Sequence, residues 1–230
     1  MTGFITGLDA AKCYWVPSIV LYWKIDVGME RKLSTVFALD VVGYSKLMAE
    51  DEARALSNLK MRREFIDPLI EEFGGRIFNT AGDSVMAEFI SPVKAVECSV
   101  QIQNRSHSLN TKADPKNQMN FRIGINVGDV MVSEDNLFGD AINIAARLEA
   151  LAQPNGISIS KSVYDLVVPK TKVSFNDLGV QKVKQNTFHA YDILLDPSQK
   201  RKIKSQSSFN ITMITSIAAA IVILLGGIFY

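Results

Sequence analysis

Four side chains in this sequence stand where a carboxylate, an amide or a guanidinium has more to do than face water. Asp40 sits near the end of the β-branched run STVFALDVV, residues 34–42. The end of a buried strand is a costly place for a charge unless a cation or a donor waits there. Asp83 occupies the turn of RIFNTAGDSVMAEF, residues 76–89, between two short strand patterns. Antiparallel pairing with the first strand would set Asp83 beside Asp40. Two carboxylates held together suit Mg²⁺ or Mn²⁺, hard ions that take oxygen ligands and accompany phosphate-bearing substrates. Asn143 and Arg147 lie four apart in AINIAARLEAL and so share one helix face. An amide beside a guanidinium suits charge developing on a phosphate. Singly, each has an ordinary explanation: a lysine partner for Asp40, turn bonding for Asp83, a polar interface for Asn143, a solvated charge for Arg147. Together, their order and spacing point to a phosphate-handling site.

The elements that must position these groups follow from periodicity. A strand is predicted from Ser34 to about Val42, broken by Gly43, and a helix from Asp51 to Phe73 that Pro68 should kink and Gly74-Gly75 should end. Two strands flank Asp83. A helix with Pro92 in its first turn runs to about Leu109. MNFRIGINVGDVMVSE reads as two strands around Gly128, and Asp140 as the cap of a helix through Leu151. The strand ISIS, a short helix and two closing strands, KVSFNDLG and TFHAYDIL, complete the domain near Leu195. Strand, helix, strand, strand, helix, strand is the ferredoxin-like βαββαβ order of an α+β fold, here with appended elements.

The rest of the chain bounds the setting. A formal net charge of +1 gives no electrostatic argument for a nucleic-acid partner. Cys13 and Cys98 have neither metal nor disulfide spacing, which suits a reducing compartment. Residues 209–230, FNITMITSIAAAIVILLGGIFY, carry no charge and as a helix would extend about 33 Å, the thickness of a bilayer's hydrocarbon core. They read as a C-terminal transmembrane helix. The basic run KRKIK in the 196–208 linker places the bulk of the chain on the cytoplasmic side of the inner or plasma membrane. Residues 1–28 have neither the charged start nor the cleavage site of a signal peptide. They read either as an interfacial extension or as the product of a misassigned start codon, with Met29 opening a catalytic domain over 29–195.

FALDVVGYSKLM, GGRIFNTAGDSVMAEF, FRIGINVGDV and FGDAINIAARLEAL resemble, in order, the segments of class III nucleotide cyclases, most closely bacterial enzymes of the adenylate cyclase type. The resemblance implies a homodimer that converts ATP to cyclic AMP and pyrophosphate. The attack of the ribose 3′-hydroxyl on the α-phosphate is assisted by two Mg²⁺ or Mn²⁺ ions per site. It assigns metal binding to Asp40 and Asp83 of one subunit and transition-state stabilisation to Asn143 and Arg147 of the other. Phosphate contacts fall to the backbone at Gly43, Tyr44 and Ser45, and to Lys184. The base-reading positions, lysine and aspartate in adenylate cyclases, are here Asn79 and Asn136. An amide both donates and accepts, so the pair suits adenine but also guanine or a pyrimidine. Arg76 or Lys94 could replace the lysine, and a one-residue shift of the loop would offer Glu134 or Asp135 in place of Asn136. Two other readings stand beside the first: a cyclase for GTP, CTP or UTP, and a weakly catalytic nucleotide-binding regulatory domain.

Overall fold

The computed structural model describes residues 30–201 apart from 184, 185, 197 and 199. Residues 1–28, the linker beyond 201, the expected membrane helix over 209–230 and Lys184 therefore lie outside the described residues. Among those described, no helix is long and apolar enough to cross a membrane.

β1 (Glu30–Val41) alternates cleanly. Phe37, Leu39 and Val41 face one core, and Val36 and Ala38 face a second. That parity puts Asp40 on the side of Val36 and Ala38. α1 (Tyr44–Glu50) follows, and then α2 (Glu52–Glu72), capped by Asp51, whose side chain accepts from the Arg54 amide. The expected single helix thus starts one residue later than predicted and runs through Pro68 to Glu72. β2 (Gly75–Ala81) and β3 (Ser84–Phe89) form the hairpin whose tip is Gly82-Asp83, and α3 (Pro92–Lys112) crosses back.

β4 (Phe121–Ser133) corrects the expectation of a break at Gly128: it is one continuous strand. A Cβ at Gly128 would come within 2.9 Å of the Ala141 Cβ, so this glycine admits a helix rather than making a turn. β5 (Asn136–Phe138) pairs back on β4 through the two-residue turn Glu134-Asp135. α4 (Asp140–Leu151) is the helix expected there. Its cap is Gly139, at φ 130°, and Asp140 lies in its first turn, which favours a negative charge without a capping bond. β6 (Ile157–Ser160), α5 (Lys161–Val167), β7 (Ser174–Val183) and β8 (Asn186–Leu194) complete the domain.

The sheet order is β2-β3-β1-β4-β6-β8-β7. Its first four strands, with α2 and α3, are the ferredoxin-like core that the element order predicted. α2, α3 and α5 cover the face of Phe37, Leu39, Phe89, Phe121 and Ile123. Among the described residues α4 is the helix on the other face, with Ala141 and Ala145 against Val36, Ala38 and Leu137.

Candidate active site

The β1–β3 register ends at Leu39 opposite Val85, so the hairpin tip arrives beside the end of β1. Asp40 Oδ1 accepts from Ser84 Oγ at 2.6 Å, and its Oδ2 lies 3.1 Å from Arg122 Nη2 on the neighbouring strand. Asp83 Oδ2 accepts from the Val41 amide at 3.2 Å. The two carboxylates are thus side by side, as the sequence predicted. Burial pushes the Asp83 carboxyl above its ordinary range, and the charge of Asp40 pushes it further, against the pull of backbone amides. A pair of half-buried acids whose repulsion is left standing is a site that a cation relieves. Among the described residues no group of three or more His, Cys, Asp or Glu side chains forms a metal cage. Mg²⁺ needs none, since one or two carboxylates, waters and substrate phosphates commonly hold it. The donor set fits.

Arg122 joins this pair to a third acid. Its Nε lies 2.8 Å from Glu149 Oε1, close but not aligned as a hydrogen bond. Burial carries the Glu149 carboxyl up to about 7, Arg122 draws it back incompletely, and Asp40 and Asp83 add to the rise. Neither Arg122 nor Glu149 stands out as functional from the sequence. The signal was available, because a charge inside the apolar strand RIGIN raises the same question as Asp40.

α4 runs antiparallel along β4 at close range. A Cβ at Gly124 would collide with the backbone of Ala145 and Glu149, and Asn126 Nδ2 donates to the Ala141 carbonyl at 3.1 Å. Asn143 and Arg147 are each two positions from the residues that touch the sheet, hence about 200° round the helix. They face away from the Asp40–Asp83 pair of their own chain. Asn143 is exposed and lines a cavity of about 820 Å³ with Asn126, Asp140, Lys161 and His189. One guanidinium nitrogen of Arg147, Nη1, is buried without a hydrogen-bond partner, which an anionic oxygen would satisfy.

Gly43 holds φ 69° between β1 and α1, a left-handed position that turns the chain directly past Asp40. The first-turn amides at Tyr44 and Ser45 have no intrahelical acceptors to reach. Tyr44 is close enough to Asp83 that burial, and then that charge, raise its phenol.

Asn79 and Asn136 are both exposed, and their strands β2 and β5 lie against each other. Lys94 is occupied elsewhere, with Nζ 2.8 Å from Glu97 Oε2 and the ammonium over the Phe73 ring. Arg76 does reach the place, donating from Nη1 to the Asp135 carbonyl at 2.9 Å. The loop shift is not adopted: Ser133 pairs with Asn136, and a one-residue slip would expel Leu137, only 4% exposed, from the core.

The family described as the adenylate and guanylate cyclase catalytic domain matches residues 29–195. The chain belongs to that family. Among curated relatives, a putative adenylate cyclase 3 of Rhizobium meliloti is 40% identical over 158 residues, 68% of this chain and 27% of the relative. The cyclase domain therefore spans about a quarter of that relative's length. A solved adenylate/guanylate cyclase/hydrolase from Silicibacter pomeroyi is 37% identical with a TM-score of 0.69, covering 73% of this chain and 99% of that one. A dimeric guanylyl cyclase domain from Blastocladiella emersonii shares the fold at 21% identity, TM-score 0.61, over 72% of this chain and 98% of its own.

Proposed function

We propose that this cyclase domain acts as a homodimer converting ATP to 3′,5′-cyclic AMP and pyrophosphate. The observation that carries this reading is the opposed placement of its polar groups. Asp40 and Asp83 stand by Arg122 and Glu149, where α4 meets the sheet, while Asn143 and Arg147 lie about 200° round α4 from the residues that touch it. A second copy is what brings the two halves together. Asp40 and Asp83 would hold the divalent ions, two Mg²⁺ or Mn²⁺ per site, which would supply charge neutralisation to the triphosphate and lower the pKa of the attacking hydroxyl. The backbone at Gly43, Tyr44 and Ser45 binds phosphate oxygens. Asn143 of the partner orients the ribose, and the guanidinium of Arg147 takes up charge that builds on the α-phosphate during in-line displacement. Lys184 is assigned to the triphosphate as well.

Turnover of ATP, GTP, CTP and UTP by the purified chain, with products identified by mass, tests this directly. Cyclic AMP as the main product, lost by at least about a hundredfold in Asp40→Ala, is the expected result. A different cyclic nucleotide would replace the ATP assignment, and the uncharged Asn79 and Asn136 favour that reading as the second choice. No product from any of the four would remove the enzymatic reading and favour a regulatory nucleotide-binding domain.

The charge-free 209–230 segment and its basic flank support a single membrane anchor with the catalytic domain in the cytoplasm. The full chain is expected in the membrane pellet after an alkaline carbonate wash. Recovery in the supernatant would dismiss the anchor.

A further inference from the structure

The two base-reading asparagines stand in one sheet, but no direct ladder joins their strands. Among the described residues, the ladder partner of β2 is β3, and that of β5 is β4. Asn79 and Asn136 therefore sit on two hairpins with no backbone ladder between them. A short amide reader has little reach of its own, so whatever holds the hairpins together sets what base fits.

A bulge decides which side chains can serve. Ile77 pairs with Ala87 and Asn79 with Met86, so the ladder skips Phe78. In a regular strand, residues three apart point to opposite faces; the extra residue at 78 brings Arg76 and Asn79 to the same face. Arg76 stands opposite Glu88 and uses it as a footing, with Nε and Nη2 each 2.7 Å from Glu88 Oε1. Glu88 is itself fixed: its side chain is 13% exposed, Lys32 Nζ lies 2.8 Å from its Oε2, and Ser34 Oγ donates to that same oxygen at 3.3 Å. From that footing Arg76 Nη1 donates to the Asp135 carbonyl, the residue immediately before Asn136. One planar guanidinium thus spans from a half-buried carboxylate on β3 to the tip of the β4–β5 hairpin.

We infer that Arg76, braced on Glu88, is a positioning residue for base selection, setting the spacing between Asn79 and Asn136. This rests on the proposed function only in taking those two asparagines as the base readers. It does not depend on which base they prefer. Lysine cannot substitute, since one ammonium lacks the fork that engages the Glu88 carboxylate and the Asp135 carbonyl at once.

The experiment compares the full chain with Arg76→Gln, Arg76→Lys, Glu88→Gln and Asn136→Ala, and with the Arg76→Gln/Asn136→Ala double variant. Each is assayed for kcat/KM on the four nucleoside triphosphates and for binding of their 3′-deoxy analogues, which lack the attacking hydroxyl. The preference for the favoured base over the next is expected to fall about tenfold in Arg76→Gln, with a similar fall in Arg76→Lys and Glu88→Gln. KM rises and kcat stays within about threefold. The double variant should discriminate no worse than Asn136→Ala alone, because a spacer has no effect once its reader is gone. Additive losses in the double variant would overturn the inference, as would a lowered melting temperature with the preference unchanged. A wild-type protein that binds all four analogues equally would overturn it too. A preference for a base other than adenine would revise the ATP assignment and leave the role of Arg76 standing.

Discussion

Glu149 is the residue whose environment departs furthest from water among the acids around this site. It is held near the Asp40–Asp83 pair with one misaligned arginine for company, and its carboxyl rises from 4.5 to about 7. The sign of the consequence is fixed by linkage. Between those two values the folded chain keeps a proton that the unfolded chain releases, so stability is greatest below about pH 4.5 from this group and falls as pH rises through 7. The full swing is at most about 3 kcal/mol. In Glu149→Gln, a neutral side chain of the same shape, that dependence should disappear. Urea midpoints measured at pH 5 and pH 7.5 in EDTA are the check. Wild type should lose stability across the interval and the variant should lose clearly less, while parallel losses would mean that Glu149 is already ionised at pH 5. Asp40 and Asp83 were legible in the sequence because an acid at a strand end and one at a facing hairpin tip need only strand order to be paired. Arg122 could have been flagged as a charge inside an apolar strand, but its meeting with Glu149 could not, because that depends on how α4 crosses β4.

The elements themselves were mostly written in alternation and spacing. The strand ending at Val41, the Gly82-Asp83 hairpin, α3 with Pro92 in its first turn and the βαββαβ order all follow from period and turn chemistry. The misreading of β4 has a packing cause. Gly128 reads locally as a turn, yet it lies inside β4, where Ala141 of α4 rests on the strand. Gly124 does the same for the next helical turn, under Ala145 and Glu149. A glycine that makes room for a helix and a glycine that reverses the chain are identical in sequence, and only the packing partner separates them. The bulge at Phe78 was equally hidden, since it is a property of how β2 matches β3 and not of β2 alone. It is that bulge which turns Arg76 towards the hairpin carrying Asn136. The two alternatives raised for the missing lysine are separated by packing in the same way: Lys94 is turned to Glu97 and Phe73, while Arg76 reaches the Asp135 carbonyl beside Asn136.

For the whole molecule, the geometry of α4 makes a quantitative demand. If each site takes Asp40 from one chain and Arg147 from the other, a chain lacking Asp40 and a chain lacking Arg147 are each inactive alone but complementary when mixed. In a mixed dimer, one site receives both defects and the other receives neither. With free exchange half the dimers are mixed, so an equimolar mixture of Asp40→Ala and Arg147→Ala should recover about a quarter of wild-type activity from two nearly inactive proteins. A site completed within one chain would give no recovery even when the two variants are co-expressed, and that result would sink the shared-site assignment whatever the base. Anchoring adds a second dependence. If residues 209–230 anchor the chain as proposed, tethering would confine protomers to a membrane surface and raise their effective concentration without any new contact. Activity per chain in membranes should then hold steady on dilution of the vesicles, whereas a chain ending at residue 205 should lose specific activity as it is diluted and its dimers separate. Equal dilution behaviour of the two would show that the protomers associate tightly through the catalytic domain alone. The complementation test would then have to be run by co-expression, since subunits that never separate cannot exchange after purification.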